Sequence, residues 1–119
     1  MTERTERINS LIREELSTLV REELHDPRVV GLVTITQIDT SPDLRNASAY
    51  ISVLGSDDDQ RGTMQALQHA RPFVRRELGR RLRLRTIPNV DFVADTSIAE
   101  AQALTDQMRR NAEDRGERL

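Results

Sequence analysis

The period of the apolar residues changes along the chain, and this change constrains the fold more than any other feature. Residues 4–24 place apolar side chains every three or four positions, which is typical of an amphipathic helix. Residues 32–39 and 46–54 are instead rich in β-branched residues, and the second segment alternates cleanly between two faces. Between them, Ser41-Pro42-Asp43 indicates a turn. The sequence therefore predicts a helix followed by a β-hairpin.

The first predicted strand breaks its own alternation. Val33 and Ile35 share one face, whereas Ile38 falls on the other. Either a β-bulge or a partly covered second face accounts for this break, and the sequence does not choose between them.

Helical spacing returns after residue 56. Ser56 and the acids that follow it predict a capped helix over about 58–70. Pro72 interrupts this helix, because proline lacks an N–H and its ring clashes with the carbonyl of Gln68. Apolar residues resume beyond it at Phe73, Val74, Leu78 and Leu82. We therefore predict two helices that meet in a kink at Ala70-Arg71-Pro72.

A short strand and a last helix complete the order. Val90, Phe92 and Ala94 predict the strand, and Ser97 with Glu100 has the capping-box spacing. The last helix would turn one side inward, formed by Ile98, Ala101, Leu104 and Met108. We expect an α+β two-layer sandwich, with helices covering one face of a three-stranded sheet. It forms one domain over residues 1–108, followed by a polar, flexible tail at 109–119.

Composition excludes several classes of site. The chain has no cysteine, which excludes disulfides and thiolate metal sites. His25 and His69 are the only histidines, and both are interpreted as structural. The acids at 57–59 are better explained as a helix cap than as a magnesium site. With no signal peptide or apolar membrane span in the sequence, we expect a cytoplasmic, non-catalytic protein without metal or cofactor.

Arginine placement is the strongest functional signal. The net charge is −2, yet all 18 basic residues are arginine, and within 71–85 only Glu77 opposes the basic residues. The cluster consists of Arg71, Arg75, Arg76, Arg80, Arg81, Arg83 and Arg85. A helix would place Arg76, Arg80 and Arg83 on one stripe opposite the apolar face. A solvated face normally mixes both signs of charge, so the cluster predicts phosphate contacts with RNA. Arg28 and Arg45 are predicted as additional contacts outside the cluster.

Several segments in order resemble the ribosome-binding factor A family over residues 4–108. They are Asp26-Pro27-Arg28, Val33-Thr34-Ile35-Thr36, Ser41-Pro42-Asp43-Leu44, Ala49-Tyr50-Ile51-Ser52-Val53-Leu54-Gly55, Leu78-Gly79, Leu84-Arg85-Thr86-Ile87-Pro88 and Phe92-Val93-Ala94-Asp95-Thr96-Ser97-Ile98. The resemblance implies a K-homology-like fold of the second type. It also implies binding to small-subunit ribosomal RNA late in assembly, without catalysis.

The resemblance also bears on the kink. Members of the family carry an Ala-x-Gly kink between the second and third helices; here Ala70 matches the alanine, and Pro72 stands at the glycine position. Glycine lets a backbone approach RNA closely, whereas proline is bulkier and cannot donate a hydrogen bond. The predicted RNA contact therefore rests on arginine side chains.

Two other functions compete with RNA binding. A protein-interaction module would dock or dimerise through an exposed strand edge, using Ser48, Tyr50 and Ser52. A magnesium-dependent nuclease using residues 57–59 is the weaker alternative. With only three aromatic residues, the chain is expected to recognise the backbone and shape of RNA and to read few bases. We favour the small ribosomal subunit as the partner of a monomeric protein.

Overall fold

The computed structural model describes residues 3–29 and 32–114, apart from the side chains of residues 98, 99, 113 and 114. Its elements in chain order are α1 (Glu3–Thr18) with a π-helical turn (Leu19–Glu23), β1 (Leu32–Thr40), β2 (Asn46–Leu54), α2 (Asp57–His69), α3 (Arg71–Arg81), β3 (Asn89–Ala94) and α4 (Ser97–Asp114). This order confirms the α+β prediction and is that of a K-homology-like fold of the second type, with one helix added.

The sheet has the strand order β1-β2-β3, so β2 is central. β1 pairs with β2 antiparallel, and β3 pairs with β2 parallel. The register shifts between Ile35 and Gln37, which makes Thr36 the extra residue of a β-bulge. The bulge returns Ile38 to the covered face, where it is buried. The β-bulge, and not a partly covered second face, therefore explains the broken alternation of the first predicted strand.

Three helices cover one face of this sheet. α1 lies mainly against β1, α2 against β2 and β3, and α3 against β3 and α1. The largest fully buried side chains include Ile12, Leu16, Leu19, Ile51, Leu67, Val74 and Leu78. Burial of this apolar surface is the main driving force for folding. The predicted two-layer arrangement is thus confirmed.

The opposite face of the sheet carries the residues proposed for a protein-interaction edge. Ser48, Tyr50 and Ser52 are half-buried residues of β2. Because β2 is hydrogen-bonded on both sides, these residues cannot form a free strand edge. That part of the prediction is wrong; among the described residues, the strand edges belong to β1 and β3.

The cap of α2 forms as predicted. The Ser56 hydroxyl accepts the Asp59 N–H at 3.1 Å, and the Asp59 carboxylate accepts the Ser56 N–H at 3.1 Å. This reciprocal pair satisfies two backbone donors at the start of the helix. On the inward face of α2, Thr63, Ala66 and Leu67 are buried, while Met64 and Ala70 are half-buried.

The third helix ends earlier than its arginine stripe requires. The last helical bond runs from the Leu82 N–H to the Leu78 carbonyl, and Leu82 itself is extended (φ −109°, ψ 134°). Leu82 and Leu84 both pack against the core, and this two-residue spacing suits an extended chain and not a helix. Arg83 therefore lies outside α3, and the predicted stripe with Arg76 and Arg80 is wrong at its third member.

The last helix exists, but its predicted inward face is wrong. Ala101, Leu104 and Met108 are exposed, at 59% for Leu104 and 54% for Met108. The side chain of Ile98, the fourth predicted member, lies outside the described part of the structure. Ala94 at the end of β3 is also exposed. At the start of α4, Thr96 Oγ1 donates to Glu100 Oε1 at 2.7 Å, in place of the predicted pairing of Ser97 with Glu100.

The final helix also continues past the predicted start of the tail. It runs to Asp114, whereas a flexible tail was expected from residue 109; residues 115–119 lie outside the described part of the chain. None of the helices over 3–29 and 32–114 is both long enough and apolar enough to cross a membrane.

Candidate nucleic-acid interface

The break between α2 and α3 follows from proline chemistry. Pro72 lies in the first turn of α3, where its missing N–H would have no helical partner anyway. α2 ends at His69, and Ala70 bridges the two helices with φ −83° and ψ 1°. The carbonyl of Gln68, near the end of α2, accepts from Arg71 Nε at 3.1 Å. The predicted kink is confirmed.

Side chains of the kink fasten it to the edge strand. Gln68 Nε2 donates to the carbonyl of Phe92 at 2.6 Å. Arg71 Nη1 donates to Asp91 Oδ1 at 2.8 Å. Both acceptors lie on β3, so the kink is held against the unpaired side of that strand. Much of the charge of Arg71 is consequently engaged within the protein.

An open groove of about 1440 Å³ lies between the kink and β3. We call it the kink groove; it is lined by Met64, Gln65, Gln68, His69, Arg71, Pro72, Arg75, Arg76, Gly79, Ile87, Asn89, Val90 and Asp91. Methionine, proline, isoleucine and valine side chains give it apolar walls, while arginine, glutamine and asparagine supply hydrogen-bond donors. Such a mixture of apolar surface and a few donors is typical of a binding site.

Arg75 and Arg76 are arginines of the kink groove whose charge is not paired with a described carboxylate. Both are exposed on the first turns of α3, and neither forms an ion pair with any other described residue. Gly79, one turn further, adds no side chain between these arginines and Ile87. The two guanidinium groups are therefore accessible to phosphate oxygens along the groove.

Arg80 and Arg81 differ from them because both contact Glu77. Glu77 is buried, and Arg80 Nη1 lies 2.9 and 3.0 Å from its two carboxylate oxygens. Arg80 is still 72% exposed and can reach solvent anions. Arg81 is only 25% exposed; it bonds Glu23, lies 3.5 Å from Glu15 and 3.7 Å from Glu77. The hydrogen bond to Glu23 raises the pKa of the Arg81 guanidinium further.

The contact between Arg81 and α1 depends on the π turn. In a regular helix, Glu23 would be rotated by about 80° from Glu15, because eight residues exceed two turns. The extra residue of the π turn, closed by the Leu24 N–H to Leu19 carbonyl bond at 3.0 Å, brings both glutamates to Arg81. Arg81 thus ties α1 to α3, a role that its place in the predicted RNA-binding cluster does not indicate.

Arg83 and Arg85 lie on the extended segment after α3. Leu82 and Leu84 pack inward there, so the alternating residues Arg83 and Arg85 are exposed. Neither has a carboxylate partner among residues 3–29 and 32–114. They extend the positive surface beyond the helix, although not on the predicted stripe.

Arg28 belongs to a locked turn. Its Nε and Nη2 bond the two Asp26 oxygens at 3.1 and 2.8 Å, which lowers the pKa of Asp26 to about 2. The Arg28 carbonyl accepts from Thr63 Oγ1 at 3.2 Å, which docks the turn on α2.

The backbone of Arg45 is bonded to Asn89, a residue at one end of the kink groove. The Arg45 carbonyl accepts the Asn89 N–H at 2.9 Å, and Asn89 lines the groove. The Arg45 side chain is exposed. The structure therefore brings Arg71, Arg75 and Arg76 into the lining of one groove and joins the backbone of Arg45 to Asn89 at its end, which the sequence order alone does not indicate.

The structure also describes the residues considered for catalysis. Asp59 caps α2, and Asp58 forms an ion pair with Arg61. Within 3–29 and 32–114, no three His, Asp or Glu side chains come together as a possible metal site. His25 and His69 are both exposed.

Comparison with known proteins identifies relatives over nearly the whole chain. The ribosome-binding factor A family matches residues 4–108. Ribosome-binding factor A of Acetivibrio thermocellus is 41% identical over 103 residues, covering 87% of this chain and 84% of the relative. That of Thioalkalivibrio sulfidiphilus is 45% identical over 117 residues, covering 96% of this chain and 88% of the relative.

Solved structures share the fold. The crystal structure of ribosome-binding factor A from Thermus thermophilus is 24% identical, with a TM-score of 0.66 over 76% of this chain and 94% of that chain. A homology model of the Thermus thermophilus factor, fitted into a cryo-EM map of a 30S complex, is also 24% identical, with a TM-score of 0.59 over 82% of this chain and 97% of that chain. At these identities the likeness establishes the common fold. From the family match and the relatives of about 40% identity, the chain belongs to the ribosome-binding factor A family.

Proposed function

We propose that this protein binds the small ribosomal subunit and its ribosomal RNA during late maturation, as an assembly factor. Relatives 41% and 45% identical over most of the chain carry the name ribosome-binding factor A, and the Thermus factor has been fitted into a 30S complex. The observation that carries the proposal is the pair Arg75 and Arg76, exposed on the kink groove without a carboxylate partner among the described residues.

The groove suits an RNA strand for physical reasons. Guanidinium groups form paired hydrogen bonds with phosphate oxygens, and their charge attracts the polyanion even though the net charge of the protein is −2. Apolar groups such as Pro72 and Ile87 can cover the less polar faces of ribose or base. Since the chain has only three aromatic residues, phosphate contacts dominate over stacking.

The protein acts without catalysis, as a monomer in the cytoplasm, and leaves once the subunit has matured. The engagement of Asp58 and Asp59 in an ion pair and a helix cap supports a non-catalytic role.

A charge-reversal experiment tests the RNA contact. Arg75→Glu combined with Arg76→Glu removes two phosphate contacts, so the slope of log affinity against log salt should fall in magnitude by about two. The affinity for purified small ribosomal subunits should drop at least about 100-fold at moderate salt, because the new carboxylates also repel phosphate. Cosedimentation with subunits at several salt concentrations measures both.

The matched control reverses two arginines on another surface. Arg13 and Arg21 line a separate cleft beside β1. The Arg13→Glu and Arg21→Glu double variant should bind subunits like the unaltered protein. Equal loss of binding in both double variants would indicate nonspecific charge attraction, and full binding by the Arg75 and Arg76 variant would contradict the proposed contact.

A further inference from the structure

The turn between β1 and β2 contains a residue in an unfavourable backbone conformation. Leu44 has φ 62°, and no other non-glycine residue of the described chain has a positive φ. This left-handed region normally suits glycine or asparagine, because a larger side chain brings Cβ close to the carbonyl oxygen. A turn that merely reverses the chain has no need of leucine at this position.

Packing and hydrogen bonds together hold Leu44 in place. Its side chain is half-buried against the core, and its N–H donates to the Ser41 carbonyl at 2.9 Å. Asp43 Oδ1 accepts from the Ser41 hydroxyl at 2.7 Å and from the Arg45 N–H at 3.1 Å. The hydroxyl of Ser41 in turn accepts the Asn46 N–H at 3.1 Å. The turn is therefore rigid, although it is largely exposed.

This rigidity fixes the backbone of Arg45 on both sides. Its N–H is bonded to Asp43, and its carbonyl is bonded to the Asn89 N–H at the start of β3. The kink is fastened two and three residues further along the same strand, at Asp91 and Phe92. The backbone of Arg45 is thus fixed next to Asn89 at one end of the kink groove, and its side chain is exposed there, while Arg75 and Arg76 line the groove beside the kink.

We propose that Arg45 is a phosphate contact at the Asn89 end of the kink groove, and that Asp43 and Leu44 are positioning residues that hold it there. The inference rests on the proposed function, since it assumes that RNA occupies the groove. An arginine held by a rigid backbone loses less conformational freedom on binding than one on a mobile loop. This positioning explains why leucine occupies the left-handed conformation at residue 44. Its side chain anchors the turn in the core, which an asparagine or glycine could not do.

Single variants measure the contact and its positioning separately. Arg45→Ala should reduce the salt slope of subunit binding by about one, because one phosphate contact is lost. Asp43→Ala and Leu44→Gly should weaken binding by several-fold, the first by releasing the Arg45 N–H and the second by removing the apolar anchor. Thermal unfolding and far-UV circular dichroism verify that each variant is folded.

A double-mutant cycle separates positioning from general destabilisation. If Asp43 acts through Arg45, Asp43→Ala should have little further effect on affinity once Arg45 is alanine. The matched control is Asp59→Ala, which removes a comparable carboxylate from the α2 cap away from the groove. It should lower thermal stability and leave the salt slope unchanged.

The outcomes distinguish this inference from the proposed function. An unchanged salt slope in Arg45→Ala overturns the Arg45 contact; if Arg75→Glu with Arg76→Glu still abolishes binding, the proposed function stands. Additive losses from Asp43→Ala and Arg45→Ala, or full binding by Leu44→Gly, overturn the positioning role. If the unaltered protein does not bind small subunits, the proposed function fails and this inference fails with it.

Discussion

Replacing Arg81 should separate stability from RNA binding. In Arg81→Met the methionine keeps most of the apolar stem but loses the guanidinium that holds Glu15, Glu23 and Glu77. A hydrogen bond to a charged group contributes about 1.5–3 kcal/mol. The loss is reduced by solvent, since Glu15 and Glu23 are 32% and 40% exposed, and Arg80 still neutralises Glu77. We expect a cost of about 2 kcal/mol.

The expected shift can be measured by thermal and urea unfolding. For a chain of 119 residues, about 2 kcal/mol lowers the Tm by roughly 8 °C. Subunit affinity should stay within about twofold, because Arg81 faces α1 and lies outside the groove lining. Arg80→Met is the matched control, with a cost under about 1 kcal/mol, because Arg80 is 72% exposed and Arg81 still lies 3.7 Å from Glu77. An Arg81→Met protein with unchanged Tm and lost subunit binding would refute this division of roles.

Three further predictions concern the locked turn, the core and the kink. The Asp26 carboxyl should titrate near pH 2 by NMR, and Arg28→Ala should return its pKa toward 3.8. Since folding lowers this pKa, its stabilising effect is present above pH 3.8 and is lost as pH falls toward 2; an ordinary Asp26 pKa would contradict the turn geometry. Leu78→Ala should cost about 2–5 kcal/mol in urea unfolding, because Leu78 is fully buried, and a cost under about 1 kcal/mol would be inconsistent with that burial. Pro72→Ala should keep the kink, because the Arg71 side chain already bonds the Gln68 carbonyl. A retained NMR contact between Gln68 and Phe92 would show this, whereas loss of that contact would show that proline alone maintains the break.

Local patterns predicted most of the fold because they depend on neighbouring residues. Alternation and helical spacing placed all three strands, the capped start of α2 and the kink at Pro72. The end of α3 was missed, although a signal was present: apolar spacing drops from four residues at Leu78 and Leu82 to two at Leu82 and Leu84. That change indicates that the chain has left the helix, and it moves Arg83 off the stripe.

Interactions between distant segments could not be predicted in the same way. The pairing of Arg81 with Glu15 and Glu23 joins residues more than fifty positions apart and requires a π turn, which has no clear sequence signature. The kink groove depends likewise on β3 lying parallel to β2 at the sheet edge, where its free side meets the kink. Only this arrangement joins the backbone of Arg45 to Asn89, in the groove that Arg75 and Arg76 also line.

Site-specific cross-linking tests the central claim most directly. A photoreactive amino acid at Gln65, which lines the kink groove, should cross-link to ribosomal RNA when the protein is bound to small subunits. The same group at Ser52 of β2, away from that groove, should give little RNA cross-linking. Strong RNA cross-links from Gln65 and few from Ser52 would support RNA in the groove. Cross-links to RNA only from Ser52, or only to protein from Gln65, would contradict it.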